Sequence, residues 1–354
     1  MLLSVRAPVG ELNQAKERTI IGRGLSAIRF DTDQQGFAWH AIKYSAPTLA
    51  RVAQGSTFVA ISRIDVEGMA IPWFDESNPR IAAVLDTIDE TITKTESVIE
   101  KLRQVRAGLL HDLLTCGLDE HGHLRDPIAH PEQFQDSPLG RIPKEWIFES
   151  MGERLQRIKG TIQTGPFGSQ LHAHEYTAEG VPVIMPQDVL GGSVSVEKIA
   201  RIPSTRADEL IRHRVKLGDL IFARRGDLSR CAAITEREVG WLCGTGCLLM
   251  RFEEHTLSSK WLSLAYRHDT GQRQIAARAV GTTMVNLNTK LLSHLQFGFP
   301  QKEEQALVVS RMKQADSVIL QEEANLAKLN LMKSGLMDDL LTGRVRVSEI
   351  TRSN

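Results

Sequence analysis

The chain has 354 residues, 42% of them apolar and 24% charged. That leaves room for two or three domains of ~100–200 residues with buried cores, and excludes a disordered or fibrous protein. Lysine plus arginine equals aspartate plus glutamate at 43 each, which excludes a uniformly basic or acidic coat. The four cysteines are too few for a disulfide framework, and no apolar run reaches the ~18 residues of a membrane span. A charge at Arg6 interrupts the start too early for a signal peptide, so the expected setting is cytoplasmic, with no membrane partner. Charge is nonetheless uneven: residues 141–300 hold roughly 21 basic against 16 acidic side chains, which permits a nucleic-acid partner without requiring one.

In chain order, a strand-like run at residues 2–6 comes first. From Arg80 to Asp126 there is no proline, and Leu85, Ile88, Ile92, Ile99, Leu102, Leu109 and Leu113 recur at heptad spacing. The seam predicts a helix over 80–115, roughly 54 Å long, that needs a partner for its stripe. A polar linker over 117–143 follows, punctuated by Gly122, Asp126-Pro127, His130-Pro131 and Ser137-Pro138. The next block carries short apolar runs at 181–184, 219–223, 231–234 and 247–250 separated by Gly and Asp, so it reads as mixed and strand-dominated. One amphipathic helix is expected over 258–277, with Trp261, Leu262, Leu264, Ala265 and Ile275 inward. No proline follows Pro300, where a second long helix is expected with Met312, Ile319, Leu326, Lys333 and Leu340 on one line of its seam and Leu329 and Leu336 on the other.

The second helix repeats the first. Asp89 answers Asp316, Ile92 answers Ile319, Lys101-Leu102 answers Lys328-Leu329, and Asp112-Leu113-Leu114-Thr115 answers Asp339-Leu340-Leu341-Thr342, all at one offset. A chance heptad reproduces leucines but not the aspartates and threonine. Arg106 and Lys333 occupy the same seam position, a register-setting device. Upstream, the sequences at 55–59 and 281–285 match, Gly22-Arg23-Gly24 resembles Gly244-Thr245-Gly246, and residues 2–6 resemble 220–224. Each unit is thus a globular block followed by a long helix. The leading half of the block, ahead of the strand at 220, has no counterpart ahead of Leu2, so a truncated first unit is expected.

These strings, in this order and doubled, resemble the specificity subunits of type I restriction–modification systems. The carriers are DSPLGRIPKEW (136–146), TGPFGSQL (164–171), GDLIFARRGDLSR (218–230), GTTMVNLN (281–288) and a long helix ending LLTG (340–343). The resemblance implies a mixed α+β fold with an internal two-fold repeat: two target-recognition domains, the first partial, joined by two long antiparallel coiled-coil helices. The implied boundaries are a partial first domain at 1–78, a helix at 79–117, a linker at 118–140, the second domain at 141–300, the second helix at 301–345 and a tail at 346–354. It also implies a non-catalytic subunit that reads a bipartite site in double-stranded DNA and positions methyltransferase and restriction subunits. S-adenosylmethionine, ATP and Mg would then belong to those partners, and the chain itself would carry no cofactor. The alternative is a coiled-coil protein-interaction scaffold, or a decayed fragment.

Reading DNA requires side chains that offer paired donors to base edges, and donors to phosphates. Arg224, Arg225, Asp227 and Arg230 share one loop after the strand at 220–223. They suit such contacts, or else form surface salt bridges to Asp219 or Asp227. Phe167, Gly168, Ser169 and Gln170 lie in a tight loop that either approaches DNA or is a structural turn over a packed Phe167. Gln187, Thr283, Asn286 and Asn288 are further polar candidates near loops. Rival chemistries lack their patterns. His172-Ala173-His174 and the Cys243–Cys247 spacing have no matched zinc ligands, and there is no Walker motif or nucleophile elbow.

Overall fold

In a computed structural model, residues 1–52, 60–168, 170–279 and 286–347 are described. The chain divides into two units, Met1–Arg103 with Ser317–Asn354, and Gln104–Asp316. The division differs from the block–helix–block boundaries of the sequence, because each unit takes part of both long helices.

The first unit opens on strands β1 (Leu2–Ser4), β2 (Leu12–Asn13) and β3 (Leu25–Ala27), then helices α1 (Gln35–Val52) and α2 (Arg63–Glu67). The long helix α3 (Asn78–Thr115) follows. In the second unit come β4 (Phe134–Ser137), β5 (Gly140–Pro143), β6 (Ile147–Ser150), α4 (Met151–Arg157), β7 (Thr161–Thr164), β8 (Val181–Ile184), β9 (Val189–Leu190) and β10 (Ser193–Val194). They are followed by β11 (Ala200–Ile202), α5 (Ser204–Glu209), β12 (Leu220–Ala223), β13 (Cys231–Ala233), β14 (Leu242–Cys243) and β15 (Cys247–Arg251). Helices α6 (Ser259–Arg267), α7 (Asp269–Ala279) and α8 (Thr289–Ser293), strand β16 (Gln296–Phe299) and the second long helix α9 (Lys302–Leu341) complete the order. Among the described residues no helix is long and apolar enough to cross a membrane.

Helix α3 is stopped by Gly117, whose φ of +67° suits a left-handed cap that returns its N–H to the Asp112 carbonyl at 3.2 Å. Gly343, at φ +72°, likewise follows α9, with its N–H returning to the Leu340 carbonyl at 3.4 Å. In the first unit, Leu85, Ile88, Ile92, Ile99, Ile319 and Leu340 are buried, while Leu102, Leu326, Leu329 and Leu336 are half-buried, as a two-helix seam allows. In the second unit Leu113 and Met312 are buried and Leu109 is half-buried against the same core. The two seam cations are paired across the helices: Lys333 with Asp89 in the first unit, Arg106 with Asp316 in the second. Since Asp89 answers Asp316 and Arg106 answers Lys333, the repeat has built one ion pair twice.

The second unit is organised by an antiparallel sheet in the order β13-β12-β15-β7. Its central strands are apolar throughout because successive side chains enter different cores. Leu220, Phe222, Leu248 and Met250 pack with Trp261, Leu262 and Tyr266, whereas Ile221, Ala232 and Leu249 pack with Ile184, Val189 and Val215. Burial pushes the Cys231 thiol up to about 12 and raises those of Cys243 and Cys247, so these cysteines act as small core side chains. Pairing of β16 with β6 joins the end of the block to its beginning. The expected linker is partly built in: β4 and β5 form a hairpin, and Arg125 is buried.

The helix expected over 258–277 is two helices, α6 and α7, broken at His268, whose ψ of 156° is extended. The chain turns there around the Tyr266 carbonyl, which accepts from Gln272 Nε2 at 2.7 Å. Gly271 passes so close that a Cβ would lie 2.4 Å from that oxygen. Helix α1 is not among the elements expected from the sequence. Its counterpart is α6, since Trp39 and Tyr44 answer Trp261 and Tyr266.

Backbone hydrogen bonds correct one detail of the repeat. Val5 donates to the Gly24 carbonyl at 2.9 Å, and Arg224 to that of Gly246 at 2.8 Å. Ile61 donates to the Val5 carbonyl and Leu287 to the Arg224 carbonyl, both at 2.9 Å. Val5 therefore corresponds to Arg224, and the match of residues 2–6 to 220–224 is one position out of register. The matched segments 55–59 and 281–285 lie outside the described residues, as do Ser169 and Thr283.

Candidate nucleic-acid interface

The sheet's register brings the predicted loops to one edge. Strand β7 ends at Thr164 and β12 at Ala223, while β13 begins at Cys231 and β15 at Cys247. Gly165 continues the ladder, donating to the Cys247 carbonyl at 2.9 Å, and a Cβ there would lie 2.1 Å from the Gly244 carbonyl oxygen. Only glycine fits. The Gly244-Thr245-Gly246 turn, which the sequence showed only as part of the repeat, therefore lies in the middle of this edge. Gly246 has φ +87° and packs toward Pro186.

Most of the predicted side chains build the scaffold. Arg224 Nε donates to the Leu287 carbonyl at 3.1 Å, and the Asn286 amide, turned so that its nitrogen rather than its oxygen faces the Arg224 carbonyl, donates to it at 2.9 Å, clasping β12 to the segment beyond α7. Arg230 donates to the Pro186 carbonyl at 3.2 Å and the Gln187 carbonyl at 3.4 Å, and its guanidinium lies 3.5 Å from Asp227. Asp227 accepts from the Ser229 hydroxyl at 2.6 Å and amide at 3.0 Å, and these bonds hold its carboxyl below the usual range. Gln170 accepts from the Phe167 amide at 3.1 Å, closing its turn, while the Arg206 guanidinium donates to the Gln170 carbonyl. Asn288 caps α8, accepting from the Leu291 amide at 2.8 Å.

What remains for a ligand is a smaller set. Arg225 is exposed at the tip of the loop, with no hydrogen bond or ion pair among the described residues. Gln187 and Gly168 are exposed, and Phe167 is 57% exposed rather than packed beneath its loop. The anticipated salt bridge from Asp219 goes elsewhere: it pairs with Arg251 at 2.6 Å, at the opposite end of β12. The His172 and His174 rings stack on one another with centroids 5.5 Å apart, and no metal-binding group of three His, Cys, Asp or Glu occurs among the described residues. Among the described residues, the edge thus presents one free guanidinium, one aromatic face and one free amide on a pinned backbone.

No family model matches the chain. Among curated proteins it is 22% identical over 323 residues, 89% of this chain and 71% of the other, to the type I restriction enzyme MjaVIII specificity subunit of Methanocaldococcus jannaschii. It is 32% identical over 118 residues, 32% of this chain and 28% of the other, to a putative type I restriction enzyme MjaX specificity subunit of the same organism. Among solved structures, the S subunit of a type I restriction–modification system from M. genitalium superposes with a TM-score of 0.54 at 18% identity, covering 96% of this chain and 82% of that one. A chain from a study of complex assembly and conformational transition of the type I system gives a TM-score of 0.55 at 16% identity, covering 90% and 74%.

Proposed function

We propose that this chain, which belongs with the specificity subunits of type I restriction–modification systems, is the DNA-reading subunit of such a complex. The observation that carries the reading is the exposed Arg225 guanidinium, unpaired among the described residues, on the loop that follows β12 at the edge where the loops of the four-stranded sheet meet. A guanidinium offers paired donors that match the O6 and N7 acceptors of guanine, and the Gln187 amide suits adenine. The Phe167 ring can lie against a sugar or a thymine methyl. A strand lattice that recurs in both units suits a bipartite site. The chain acts through methyltransferase and restriction subunits, and catalysis, with S-adenosylmethionine, ATP and Mg, resides in them.

The test is co-expression with the cognate methyltransferase subunit, followed by mapping of methylated bases in host DNA. A bipartite methylated motif is expected, and its absence with the partner present and soluble overturns the reading. Arg225→Ala should weaken binding to that motif by about 1–3 kcal/mol if the side chain reads a base. An equal loss on random DNA assigns it to a phosphate instead.

A further inference from the structure

Backbone hydrogen bonds, rather than sequence identity, define which residue of the first unit stands where Arg225 stands in the second. Ser4 donates to the Glu11 carbonyl at 2.8 Å as Ala223 does to Arg230 at 3.0 Å. Val5 donates to Gly24 as Arg224 does to Gly246, and Leu25 donates to Gly22 at 3.1 Å as Cys247 does to Gly244 at 3.2 Å. Ile61 closes on Val5 as Leu287 closes on Arg224. The strand registers agree: Leu3 faces Leu12 and Ser26, as Phe222 faces Cys231 and Leu248. One lattice of bonds is therefore repeated, and the next residue along it is Arg6 in the first unit and Arg225 in the second.

Arg6 shares the chemistry as well as the position. It is exposed, and its side chain has no hydrogen bond or ion pair among the described residues. Arg23, in the turn equivalent to Gly244-Thr245-Gly246, is likewise exposed and unpaired among the described residues, where the second unit has the neutral Thr245. Beside them, Gly24 leaves its Cβ position open except for the aliphatic stem of Arg6, 4.0 Å away. Past Arg6 the loops diverge: Pro8 and Glu11 stand where the second unit has Asp227 and Arg230.

From this we infer that Arg6, with Arg23 beside it, is the first unit's contact to duplex DNA, the counterpart of Arg225. The inference rests on the DNA-reading function proposed above and adds the residues through which the first unit takes part. Because the two loops differ beyond the shared arginine, the two halves of the site differ in sequence.

The experiment incubates the full-length chain with a pool of random-sequence duplexes, sequences the bound fraction, and measures the salt dependence of binding to one selected duplex. It is run on the wild type, Arg6→Ala, Arg23→Ala and Arg225→Ala, with the melting temperature confirming that these exposed substitutions leave the fold intact. Arg6→Ala is expected to erase one block of the enriched motif, or to lower the slope of log K against log salt by about one, the loss of one phosphate contact. Arg225→Ala should affect the other block. Arg6→Lys separates the two modes, since lysine restores the salt slope but not bidentate base reading. If Arg6→Ala and Arg23→Ala leave motif and slope unchanged while Arg225→Ala alters them, the inference is overturned and the DNA-reading function stands. If the wild type neither enriches a motif nor binds with salt dependence, the function itself fails, and this inference with it.

Discussion

Removing the Glu304 carboxylate should open the second unit where α9 begins. Glu304 is 7% exposed and accepts from the Leu118 amide at 2.7 Å, Arg125 Nη1 at 2.8 Å and Trp146 Nε1 at 3.1 Å. One buried anion thus satisfies a backbone donor past α3, a buried cation and an indole. Glu304→Ala removes this acceptor from all three. Breaking a buried ion pair from one side costs about 3–5 kcal/mol, because the surviving charge stays buried. Here Arg125 keeps a second partner, the exposed Glu145 carboxylate at 2.7 Å, which places the loss near the lower figure. A loss of about 3 kcal/mol is a factor of roughly 100 in the unfolding equilibrium. Urea titration followed by tryptophan fluorescence and circular dichroism reads it as a lowered midpoint at unchanged slope. Glu304→Gln retains an acceptor while losing the charge, and should fall between the two. A loss below about 1 kcal/mol for Glu304→Ala would refute the assignment of this network as the lock between the two helix ends.

Three further outcomes follow from the structure. The Lys333–Asp89 pair is partly buried, so a double-mutant cycle with Lys333→Met and Asp89→Asn should show coupling of about 1 kcal/mol, and additive effects would remove it from the seam's energetics. His213 and His268 are held below the ordinary histidine value of 6.5, chiefly by burial, then by Arg212 and His111 respectively. The unfolded chain therefore takes up these protons first, so stability should fall as pH drops below 6.5 and level off once the folded values are passed. Replacing both residues with glutamine should flatten that dependence in urea titrations from pH 7 to 5, and an unaltered profile would contradict the assignment. Gly165→Ala, which meets the Gly244 carbonyl, should destabilise the second unit by about 2 kcal/mol or more and abolish motif-specific binding; an unchanged melting temperature would disprove the close approach.

The long helices were legible in sequence because heptad periodicity is a local property of a chain: the 80–115 prediction falls within two residues of Asn78–Thr115. The repeat was legible because matched aspartates, threonine and leucines keep one offset. Helix α1 was not legible, since it contains Pro47 and its equivalence to α6 rests on two aromatic residues, Trp39 and Tyr44. The candidate site was half legible. Sequence chose its loops, because turn glycines and arginines after apolar strands are visible in a string.

By itself, then, the sequence determined the periodic elements, the duplication and the loops that carry polar side chains, all of which depend on the order of neighbouring residues. Only the tertiary structure decided which of those side chains are free. Arg224, Arg230, Gln170, Asn286 and Asn288 have the same donors and acceptors as any exposed residue of their type, but each is committed to a backbone group made available by strand pairing or a neighbouring turn. Strand register also set the one-residue shift that aligns Arg6 with Arg225, because a ladder of backbone hydrogen bonds fixes position to a single residue where apolar similarity tolerates a slip.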